Sequence, residues 1–287
     1  MTTAGATTGR ASRVWFITGA SRGLGRAFTE AALAAGDRVV GASRDISPLD
    51  DLAARHPGRL LALHLDVTDR AAVFDVVGKA VEHFGRLDVV VSNAGALFAG
   101  MVEEFTEAQA RAQLDLNFFG ALWVSQAVLP QLRAQGSGHI VQISSIGALG
   151  GFPSTGLYSA SKFALEGMSE ALAAEAAQFG VKVTIVQPGG YWTDLYTSST
   201  ATTSKPVYGL LRAELEKQWA EGSIDSEPRL AAEAVMTLVD SDDPPLRLLL
   251  GSMVYDVAFE ISRQRMDTWS RWEAVSRAAE EAVPAPH

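Results

Sequence analysis

The stretch Val14-Trp15-Phe16-Ile17-Thr18-Gly19-Ala20-Ser21-Arg22-Gly23-Leu24-Gly25 decides the fold, because it joins a buried strand to a helix through a glycine-rich turn. Four bulky apolar residues, 14–17, predict a strand covered on both faces. A helix is predicted over residues 24–35, with Gly36 positioned to end it. Glycines let backbone N–H groups approach a pyrophosphate, whose charge is favoured at a helix N-terminus. The turn therefore predicts a dinucleotide site made of Gly19, Ser21, Arg22, Gly23, Leu24 and Gly25.

The alternative is a turn that needs glycine only for its backbone angles. The context of strand, turn and helix inside a βαβ unit argues against it.

The rest of the chain repeats the alternation of short apolar runs and longer helix-period segments. Strands are predicted at residues 38–42, 60–65, 89–91, 139–143, 181–186 and 247–250, and helices at 48–55, 69–84, 106–132 and 157–179. This pattern is typical of a parallel sheet covered by helices. Pro130 is expected to distort the end of the helix at 106–132. Since no linker divides these units, we predict one α/β domain over residues 13–250.

Three segments fall outside the alternation. Residues 1–12 are rich in Thr, Ala and Gly and are expected to form a flexible tail. Residues 190–222 are polar with scattered bulky side chains, a composition that favours a mobile flap over a site, with a variable surface insertion as the alternative. Residues 251–287 are expected to form a helical extension, helical over 253–279. Trp269 and Trp272 share a face of that helix and predict packing or subunit contacts.

The composition limits the classes of function. The 287 residues include 24 basic and 33 acidic ones, and the net charge of −9 disfavours nucleic acid or an anionic membrane as the main partner. The absence of cysteine excludes disulfides and thiolate metal sites and is typical of a reducing cytoplasm. No apolar run reaches the roughly 18 residues of a membrane span, and residues 1–12 lack the apolar stretch of a signal peptide. We expect a cytoplasmic protein that acts on a small molecule, without a metal.

The end of the second predicted strand bears on the choice between NAD and NADP. A carboxylate there usually binds the ribose 2′-hydroxyl of NAD, whereas an arginine accommodates the 2′-phosphate of NADP. The chain has Ser43 and Arg44 at this point, and Arg22 supplies a second cation. Because the guanidinium fork pairs bidentately with phosphate, NADP(H) is favoured over NAD(H). Asp45 follows directly and could bind the ribose instead, which keeps NAD open.

Two further strand ends predict contacts to the dinucleotide. Asp66, with Val67 beside it, would accept a hydrogen bond from the adenine amine. A place in the N-terminal region of the next helix is an equally good interpretation of Asp66. Asn93, Ala94 and Gly95 end the fourth strand, where small residues let a ribose or adenine pass close to the backbone.

Tyr158 and Lys162 predict acid–base chemistry. Residues at i and i+4 share a helix face, so Lys162 would lie beside Tyr158. A nearby ammonium lowers the pKa of a phenol, ordinarily about 10, by favouring the phenolate. Taken alone, such a pair is more often a surface contact, so its interpretation depends on the residues around it.

Together these residues resemble the short-chain dehydrogenase/reductase family. The matching motifs extend over residues 13 to about 250, and they are Thr18-Gly19-(x)3-Gly23-x-Gly25, Asn93-Ala94-Gly95, Asn117, Ser145, Tyr158-(x)3-Lys162 and Pro188-Gly189-(x)3-Thr193. The resemblance implies a Rossmann-type, doubly wound parallel sheet with strand order 3-2-1-4-5-6-7. It also implies a homodimer or homotetramer joined through the helices at 106–132 and 157–179.

The resemblance implies a role for each catalytic residue. Tyr158 would donate its proton to a substrate carbonyl as the cofactor delivers hydride, and Ser145 would stabilise the developing alkoxide. Lys162 would lower the tyrosine pKa and bind the nicotinamide ribose. Asn117 would hold a water that replenishes the proton. Asn117 could instead merely decorate a helix, and Ser144 competes with Ser145, although the thirteen-residue offset to Tyr158 favours Ser145.

The resemblance also implies contacts around the nicotinamide and the substrate. Cofactor contacts are implied for Pro188, Gly189, Tyr191 and Thr193, the last of which could be only a cap. Substrate contacts are expected for Ser145, Leu97, Phe152 and Trp192, and further pocket positions are Ala96, Phe98, Ile146, Gly190 and Leu195. Because these positions are mostly apolar, we expect a moderately hydrophobic substrate.

The leading hypothesis is an NADP(H)-dependent oxidoreductase, a carbonyl reductase or alcohol dehydrogenase that interconverts a ketone or aldehyde and an alcohol. A catalytically idle NADP(H)-binding regulator is the second hypothesis, and a dehydratase or isomerase on the same fold is the third. Cofactor binding without turnover would favour the regulator, and turnover without a change in cofactor absorbance would favour the isomerase.

Overall fold

A computed structural model describes residues 11–193, 195, 199–222 and 225–280 of the chain. Most of the expected tail, the flap positions 194 and 196–198, and residues 281–287 of the expected extension lie outside the described residues. The described strands are β1 (Val14–Thr18), β2 (Arg38–Ser43), β3 (Leu60–His64), β4 (Val89–Ser92), β5 (Phe98–Ala99), β6 (Gly138–Ile143), β7 (Val181–Pro188), β8 (Thr200–Ala201) and β9 (Arg247–Leu250). The described helices are α1 (Gly23–Ala34), α2 (Asp50–Arg55), α3 (Arg70–Phe84), α4 (Glu107–Leu114), α5 (Gly120–Gln135), α6 (Gly156–Ala177), α7 (Gly209–Gly222), α8 (Pro228–Asp240), α9 (Ser252–Arg271) and α10 (Glu273–Ala278).

The seven longer strands form one parallel sheet in the order β3-β2-β1-β4-β6-β7-β9. This order is the predicted 3-2-1-4-5-6-7, because β5 and β8 pair only with each other in a separate two-stranded sheet. The Rossmann-type single domain is therefore confirmed. The chain reverses its direction of travel across the sheet between β1 and β4, which opens the crevice where such folds bind ligands.

Alternating side chains of β1 supply the two layers of the core. Phe16 packs among residues of α3, α5 and α6 on one face of the sheet. Trp15 and Ile17 pack on the other face, among residues of α1 and α8. All three side chains have no exposed surface, so β1 is buried on both faces as its apolar run predicts.

The helix predicted over 106–132 departs from the expectation. Helix α4 is followed by a π-helical turn, Asp115–Phe119, and then by α5, which continues past Pro130 to Gln135. Pro130 lies inside α5, and the helix continues for five residues beyond it. It ends where Gly136 adopts a left-handed conformation with φ of 69°. The π turn matters for the site because Asn117 lies in its middle.

The C-terminal helix also differs from the expectation, since it breaks at Trp272 into α9 and α10. Trp269 and Trp272 are 66% and 61% exposed, so they do not pack within the described chain. A subunit contact through them stays a prediction. In the described residues no helix combines the length and apolar character needed to cross a bilayer.

Candidate active site

The glycine turn, residues 18–25, leaves the N-terminus of α1 open. Gly19 and Gly23 have φ of 64° and 54°, which favours glycine. A β-carbon on Gly25 would lie 2.1 Å from the Gly19 carbonyl oxygen, so only glycine fits there. Arg22 precedes the helix without capping it through its side chain. The first N–H groups of α1 are thus positioned to receive an anion.

Asn93 and Thr18 brace the glycine turn from the neighbouring strand. The Asn93 side-chain amide donates to the carbonyls of Thr18 (2.9 Å) and Gly19 (3.3 Å). The Thr18 hydroxyl oxygen accepts from the backbone N–H groups of Asn93 and Ala94, both at 3.0 Å. The prediction gave Asn93 and Ala94 a passive role as small residues, and the structure adds that they fix the turn. Thr18 is absent from the predicted site residues, although it opens the glycine motif.

The corner beside β2 holds the residues expected near the adenosine ribose. Ser43 accepts a hydrogen bond from the Ser21 backbone (3.1 Å), which ties β2 to the glycine turn. Arg44 is exposed at the end of the strand. Asp45 accepts from both the N–H (3.0 Å) and the hydroxyl (2.7 Å) of Ser47 with one carboxylate oxygen. Asp45 therefore closes a local turn, and these hydrogen bonds lower its pKa.

Asp66 and Val67 lie past the end of β3. Asp66 accepts from the N–H (3.0 Å) and hydroxyl (2.8 Å) of Thr68. Burial raises the pKa of Asp66, but the Thr68 hydrogen bonds and nearby Arg44 more than offset this and lower it. The helix cap is Asp69, which accepts from the Ala72 N–H at 3.0 Å. Val67 is buried against Gly120 at the start of α5.

Lys162 lies inside the protein beside Tyr158. Its side chain is 5% exposed, and the ammonium donates to the Ile143 carbonyl at 2.8 Å. The ammonium nitrogen is 5.8 Å from the centre of the Tyr158 ring. Burial lowers the pKa of Lys162 to about 8, and Glu166 opposes that shift. The predicted pair is therefore present on one face of α6, and the lowered pKa of Lys162 lets its ammonium lose a proton just above neutral pH.

Ser145 and Tyr158 meet around Gly147. A β-carbon on Gly147 would lie 3.2 Å from the Tyr158 ring and 3.4 Å from the Ser145 hydroxyl oxygen. That oxygen accepts from the Gly147 N–H at 3.0 Å, so its proton remains available for a substrate. Ser144 points elsewhere, because its hydroxyl donates to Glu166 at 2.6 Å. Of the two serines, the structure therefore brings Ser145 to Tyr158.

Asn117 connects the strand ends to α6. Its side chain accepts from the Ala96 N–H and donates to the Ala96 carbonyl, both at 3.0 Å. It also donates to the Ser161 hydroxyl (3.1 Å), which donates in turn to the Tyr158 carbonyl (2.6 Å). Asn117 therefore joins two parts of the site and does not merely lie on a helix surface. The expected water relay would have to use the Asn117 backbone, since the side chain is engaged.

A buried acid, Glu166, was not among the predicted site residues. Its carboxylate accepts from Ser144 (2.6 Å) and Gln187 (2.8 Å), and Arg247 lies at 3.2 Å. Glu166 follows Lys162 by four residues on α6, so the spacing that identifies the Tyr–Lys pair could also have identified it.

The segment after β7 folds over the glycine turn. Pro188 ends β7, and Gly189 packs against Val254 of α9. The Thr193 side chain would lie 3.3 Å from a β-carbon on Gly23, which places it next to the turn. Tyr191 is 8% exposed and belongs to the core with α1 and α8, and burial raises its pKa. Tyr191 thus supports the segment from within the core, and its expected contact with the cofactor stays a prediction.

Trp192 lies away from the catalytic residues. It is 74% exposed and lines a shallow cavity of about 380 Å³ with residues of α1 and the start of α8. The expectation that Trp192 borders the substrate is not supported by this position. No sequence signal distinguishes exposed Trp192 from buried Tyr191, because both are bulky aromatic residues next to each other in the chain.

The other predicted substrate residues lie on segments that hydrogen bonds join together. Leu97 is buried, and its carbonyl accepts from the Thr200 N–H at 3.2 Å. Phe152 precedes Ser154, whose carbonyl accepts from the Gly100 N–H at 2.8 Å. Gln113, unnoticed in the sequence, holds Ala96 and Phe98 through their backbones at 2.9 Å and 2.8 Å. Ile146 and Leu195 are half-buried, and the Gly190 carbonyl accepts from the Ser226 N–H.

A nicotinamide dinucleotide fits these residues. The open N-terminus of α1, the glycine that excludes a β-carbon and the uncharged ends of β1 and β4 match a pyrophosphate and its sugars. In the described ranges no three His, Asp or Glu side chains are grouped as metal ligands.

The fold and these residues define a nucleotide-dependent α/β enzyme, and comparison with known proteins gives its family. A family model described as short chain dehydrogenase matches residues 13–204. The chain is 39% identical over 272 residues to Oxidoreductase BOA17 of Botryotinia fuckeliana, covering 93% of this chain and 99% of that protein. It is 37% identical to a 3-ketodihydrosphingosine reductase of Bacteroides thetaiotaomicron, covering 84% and 89%. The chain belongs to the short-chain dehydrogenase family and is an oxidoreductase.

Solved structures agree with this assignment. A short-chain dehydrogenase from Streptomyces avermitilis superposes with a TM-score of 0.89 at 40% identity, covering 94% of this chain and 99% of that one. An alcohol dehydrogenase from Thermococcus sibiricus, complexed with 5-hydroxy-NADP, has a TM-score of 0.71 at 26% identity, covering 83% and 96%. A Burkholderia phymatum enzyme in complex with NAD has a TM-score of 0.76 at 22% identity, covering 96% and 98%, and bears on the fold alone.

Proposed function

We propose that the protein is an NADP(H)-dependent carbonyl reductase or alcohol dehydrogenase, with Tyr158 as its general acid and base. The observation that carries the proposal is the buried ammonium of Lys162, held at the Ile143 carbonyl beside the Tyr158 ring. An ammonium is costly to bury, so its retention beside a phenol points to acid–base chemistry. Ser145, with a hydroxyl proton free of the Gly147 contact, completes the group.

The proposed mechanism follows from these positions. A bound nicotinamide supplies or accepts the hydride. Tyr158 donates its proton to the carbonyl oxygen during reduction and removes it from the alcohol during oxidation. Ser145 donates a hydrogen bond to that oxygen as negative charge develops. Lys162 favours the phenolate through its charge, and Asn117 holds the turn of α6 that carries Tyr158.

The preference for NADP(H) rests on the corner at β2. Asp45 is engaged with Ser47, whereas Arg44 is exposed at the strand end where a 2′-phosphate would lie. Ser43 fixes the turn through Ser21, and Arg22 contributes a second positive charge. The Thermococcus sibiricus alcohol dehydrogenase is complexed with an NADP derivative, which is consistent with this preference.

The apolar residues Leu97, Phe98 and Phe152 favour a moderately hydrophobic ketone or aldehyde. The 37% identity to a 3-ketodihydrosphingosine reductase also favours a ketone with apolar character. We further propose a cytoplasmic homodimer or homotetramer. Two exposed aromatic side chains support the association. Phe119, in the π-helical turn before α5, is 36% exposed, and Phe163, on α6, is 41% exposed.

The test is oxidation of NADPH and of NADH across a panel of aromatic, aliphatic and polycyclic ketones and aldehydes. We expect turnover with NADPH, and Tyr158→Phe should reduce it by about a thousandfold or more with folding intact. Tight cofactor binding without turnover by the wild type would instead favour the regulator. Conversion without a change in cofactor absorbance would favour a dehydratase or isomerase.

The preference for NADPH over NADH is tested with a separate pair of variants. Arg44→Ala should raise KM for NADPH by about tenfold or more, because a charge-assisted phosphate contact is lost, and should leave KM for NADH unchanged. Arg111→Ala, on exposed α4, removes the same charge elsewhere and is the control. Equal use of NADH and NADPH by the wild type would contradict the preference.

A further inference from the structure

Glu104 is a buried carboxylate that the proposed mechanism does not use. Its side chain has no exposed surface. It lies on the 3-10 turn Val102–Glu104, just after the substrate-side segment that contains β5. A buried carboxylate is retained only where donors compensate for its lost hydration.

Four donors surround this carboxylate, and three of them come from the flap. One oxygen accepts from the Met101 N–H (2.8 Å) and the Thr202 hydroxyl (2.9 Å), and the other accepts from the Lys205 N–H (2.7 Å). Arg212, at the start of α7, adds an ion pair. We call Glu104, Thr202, Lys205 and Arg212 the clasp.

The clasp holds two segments whose backbones are already paired. Strand β8 pairs with β5 through Phe98 with Thr200 and Ala99 with Ala201. Such a pair of two-residue strands is too short to be stable alone. The carboxylate at its end, with partners up to 108 residues away in the chain, supplies the missing attachment.

The other edge of the same segment is fixed to the catalytic helices. Asn117 and Gln113 bind the backbone of Ala96 and Phe98, and Asn117 also reaches α6 through Ser161. Residues 96–101 thus lie between the catalytic group on one side and residues 200–205 on the other. Through this segment, residues 200–205 are connected to the elements that carry Asn117 and Tyr158.

We propose that Glu104 is a positioning residue for substrate binding: through the clasp it fixes residues 200–205 as one wall of the substrate site, next to Leu97 and Phe98. This inference rests on the proposed function for its kinetic consequence. It assigns Glu104 no contact with the reacting atoms. Hydrogen bonds, first from Arg212 and then from Lys205, lower the pKa of Glu104 to about 2, so the clasp stays charged at every physiological pH.

The neighbouring residue provides a matched control. Glu103 also pairs with the flap, at 3.6 Å from the Lys205 ammonium, but both side chains are about half exposed. Exposed ion pairs of this kind contribute little. Glu104→Gln and Glu103→Gln therefore make the same chemical change, one inside the clasp and one outside it.

The experiment measures KM, kcat, the cofactor Kd and amide hydrogen exchange in both variants of the full chain. For Glu104→Gln we expect KM for the carbonyl substrate to rise about tenfold with kcat changed less than about threefold, as lost ground-state positioning requires. The cofactor Kd should stay unchanged, and amides of 97–101 and 200–205 should exchange faster. Glu103→Gln should match the wild type in all four.

Three results would overturn the proposal. The first is unchanged exchange at 97–101 and 200–205 in Glu104→Gln. The second is faster exchange with an unchanged KM. The third is an equal loss of cofactor and substrate affinity, which a general loss of structure would cause. If the wild type reduces no carbonyl, the proposed function fails, and the exchange measurement still decides whether the clasp exists. Should Glu104→Gln not fold, Thr202→Val, which removes one donor, is measured in its place.

Discussion

Gly25 and Gly100 both lack room for a β-carbon, but the atoms that exclude it differ in kind. At Gly25 the β-carbon would meet the Gly19 carbonyl oxygen at 2.1 Å and the Asn93 side-chain nitrogen at 2.5 Å. At Gly100 it would meet the Thr202 side chain, with the hydroxyl oxygen at 2.1 Å and the methyl carbon at 2.3 Å. The first obstacle is the backbone of the glycine turn with the Asn93 amide hydrogen-bonded to it, and the second is a side chain of the flap.

The two halves of the site are held in different ways. The glycine turn is enclosed by the central strands β1 and β4, whose positions the buried core fixes. The substrate wall depends on short strands and on the clasp, whose members come from distant parts of the chain. Cofactor binding should therefore be insensitive to the flap, while substrate binding should depend on it.

The largest effect is expected for Gly25→Ala. Because backbone atoms cannot move aside cheaply, we expect cofactor affinity to fall by about a hundredfold or more and stability to fall by about 1–3 kcal/mol. Isothermal titration with NADPH and thermal unfolding measure these quantities. Gly78→Ala is the control, since Gly78 is an exposed α3 glycine with nothing within 4 Å of the added carbon, and alanine there should stabilise slightly. If Gly25→Ala binds the cofactor as tightly as the wild type, the conclusion that the central strands hold the glycine turn rigidly is wrong.

Gly100→Ala perturbs the substrate side of the site, where the added carbon meets the Thr202 side chain. The Thr202 side chain must move, which strains its bond to Glu104. We expect KM for the carbonyl substrate to rise about fivefold to tenfold, consistent with loss of one or two hydrogen bonds, and the cofactor Kd to stay unchanged. Steady-state kinetics and titration measure the two. An equal loss of cofactor affinity would mean that the two halves are not separately held.

A third prediction concerns the charge beneath Lys162. In Glu166→Gln the carboxylate that raises the pKa of Lys162 is lost, so burial lowers that pKa further below about 8. The ammonium is then lost at lower pH, and the alkaline limb of the rate profile for reduction should shift to lower pH. Glu170→Gln is the control, because Glu170 also pairs with Arg247 but is half exposed and one turn farther along α6. The same shift in both variants would argue against a specific role for Glu166.

The smallest effect concerns stability. Lys162 has a folded pKa of about 8, below its ordinary 10.5, so the unfolded chain binds the proton more tightly between those values. The wild type is therefore penalised most below pH 8, and its stability rises as pH increases from 8 toward 10.5. Lys162→Met should be inactive yet more stable without cofactor by about 1–3 kcal/mol at neutral pH. Chemical denaturation at several pH values tests this against Lys79→Met, an exposed lysine whose loss should have little effect. A gain independent of pH would point to packing instead.

Local pattern predicts the strands, the glycine turn and the place of Lys162 beside Tyr158. The strand order and the convergence of Ser145 on that pair are implied by the resemblance to the family instead. Apolar runs mark strands, the glycine motif marks the first turn, and i,i+4 spacing puts Lys162 beside Tyr158. Other features could not be predicted in this way. The π turn at Asn117, the burial of Tyr191 and the exposure of Trp192 depend on which neighbours fold against them. The sequence carries a signal for Glu166, which follows Lys162 by four residues, but none that separates buried Glu104 from exposed Glu103.

The sequence by itself determined the strand–turn–helix unit at 14–25, the parallel α/β class and the residues available for acid–base chemistry. Each of these follows from backbone preferences and periodicity within about one helix or strand. Folding of the whole chain is what brings the Ser144 hydroxyl to Glu166 and joins Glu104 to the flap. Those outcomes depend on burial and on hydrogen bonds between distant residues, which exist only once the sheet has brought them together.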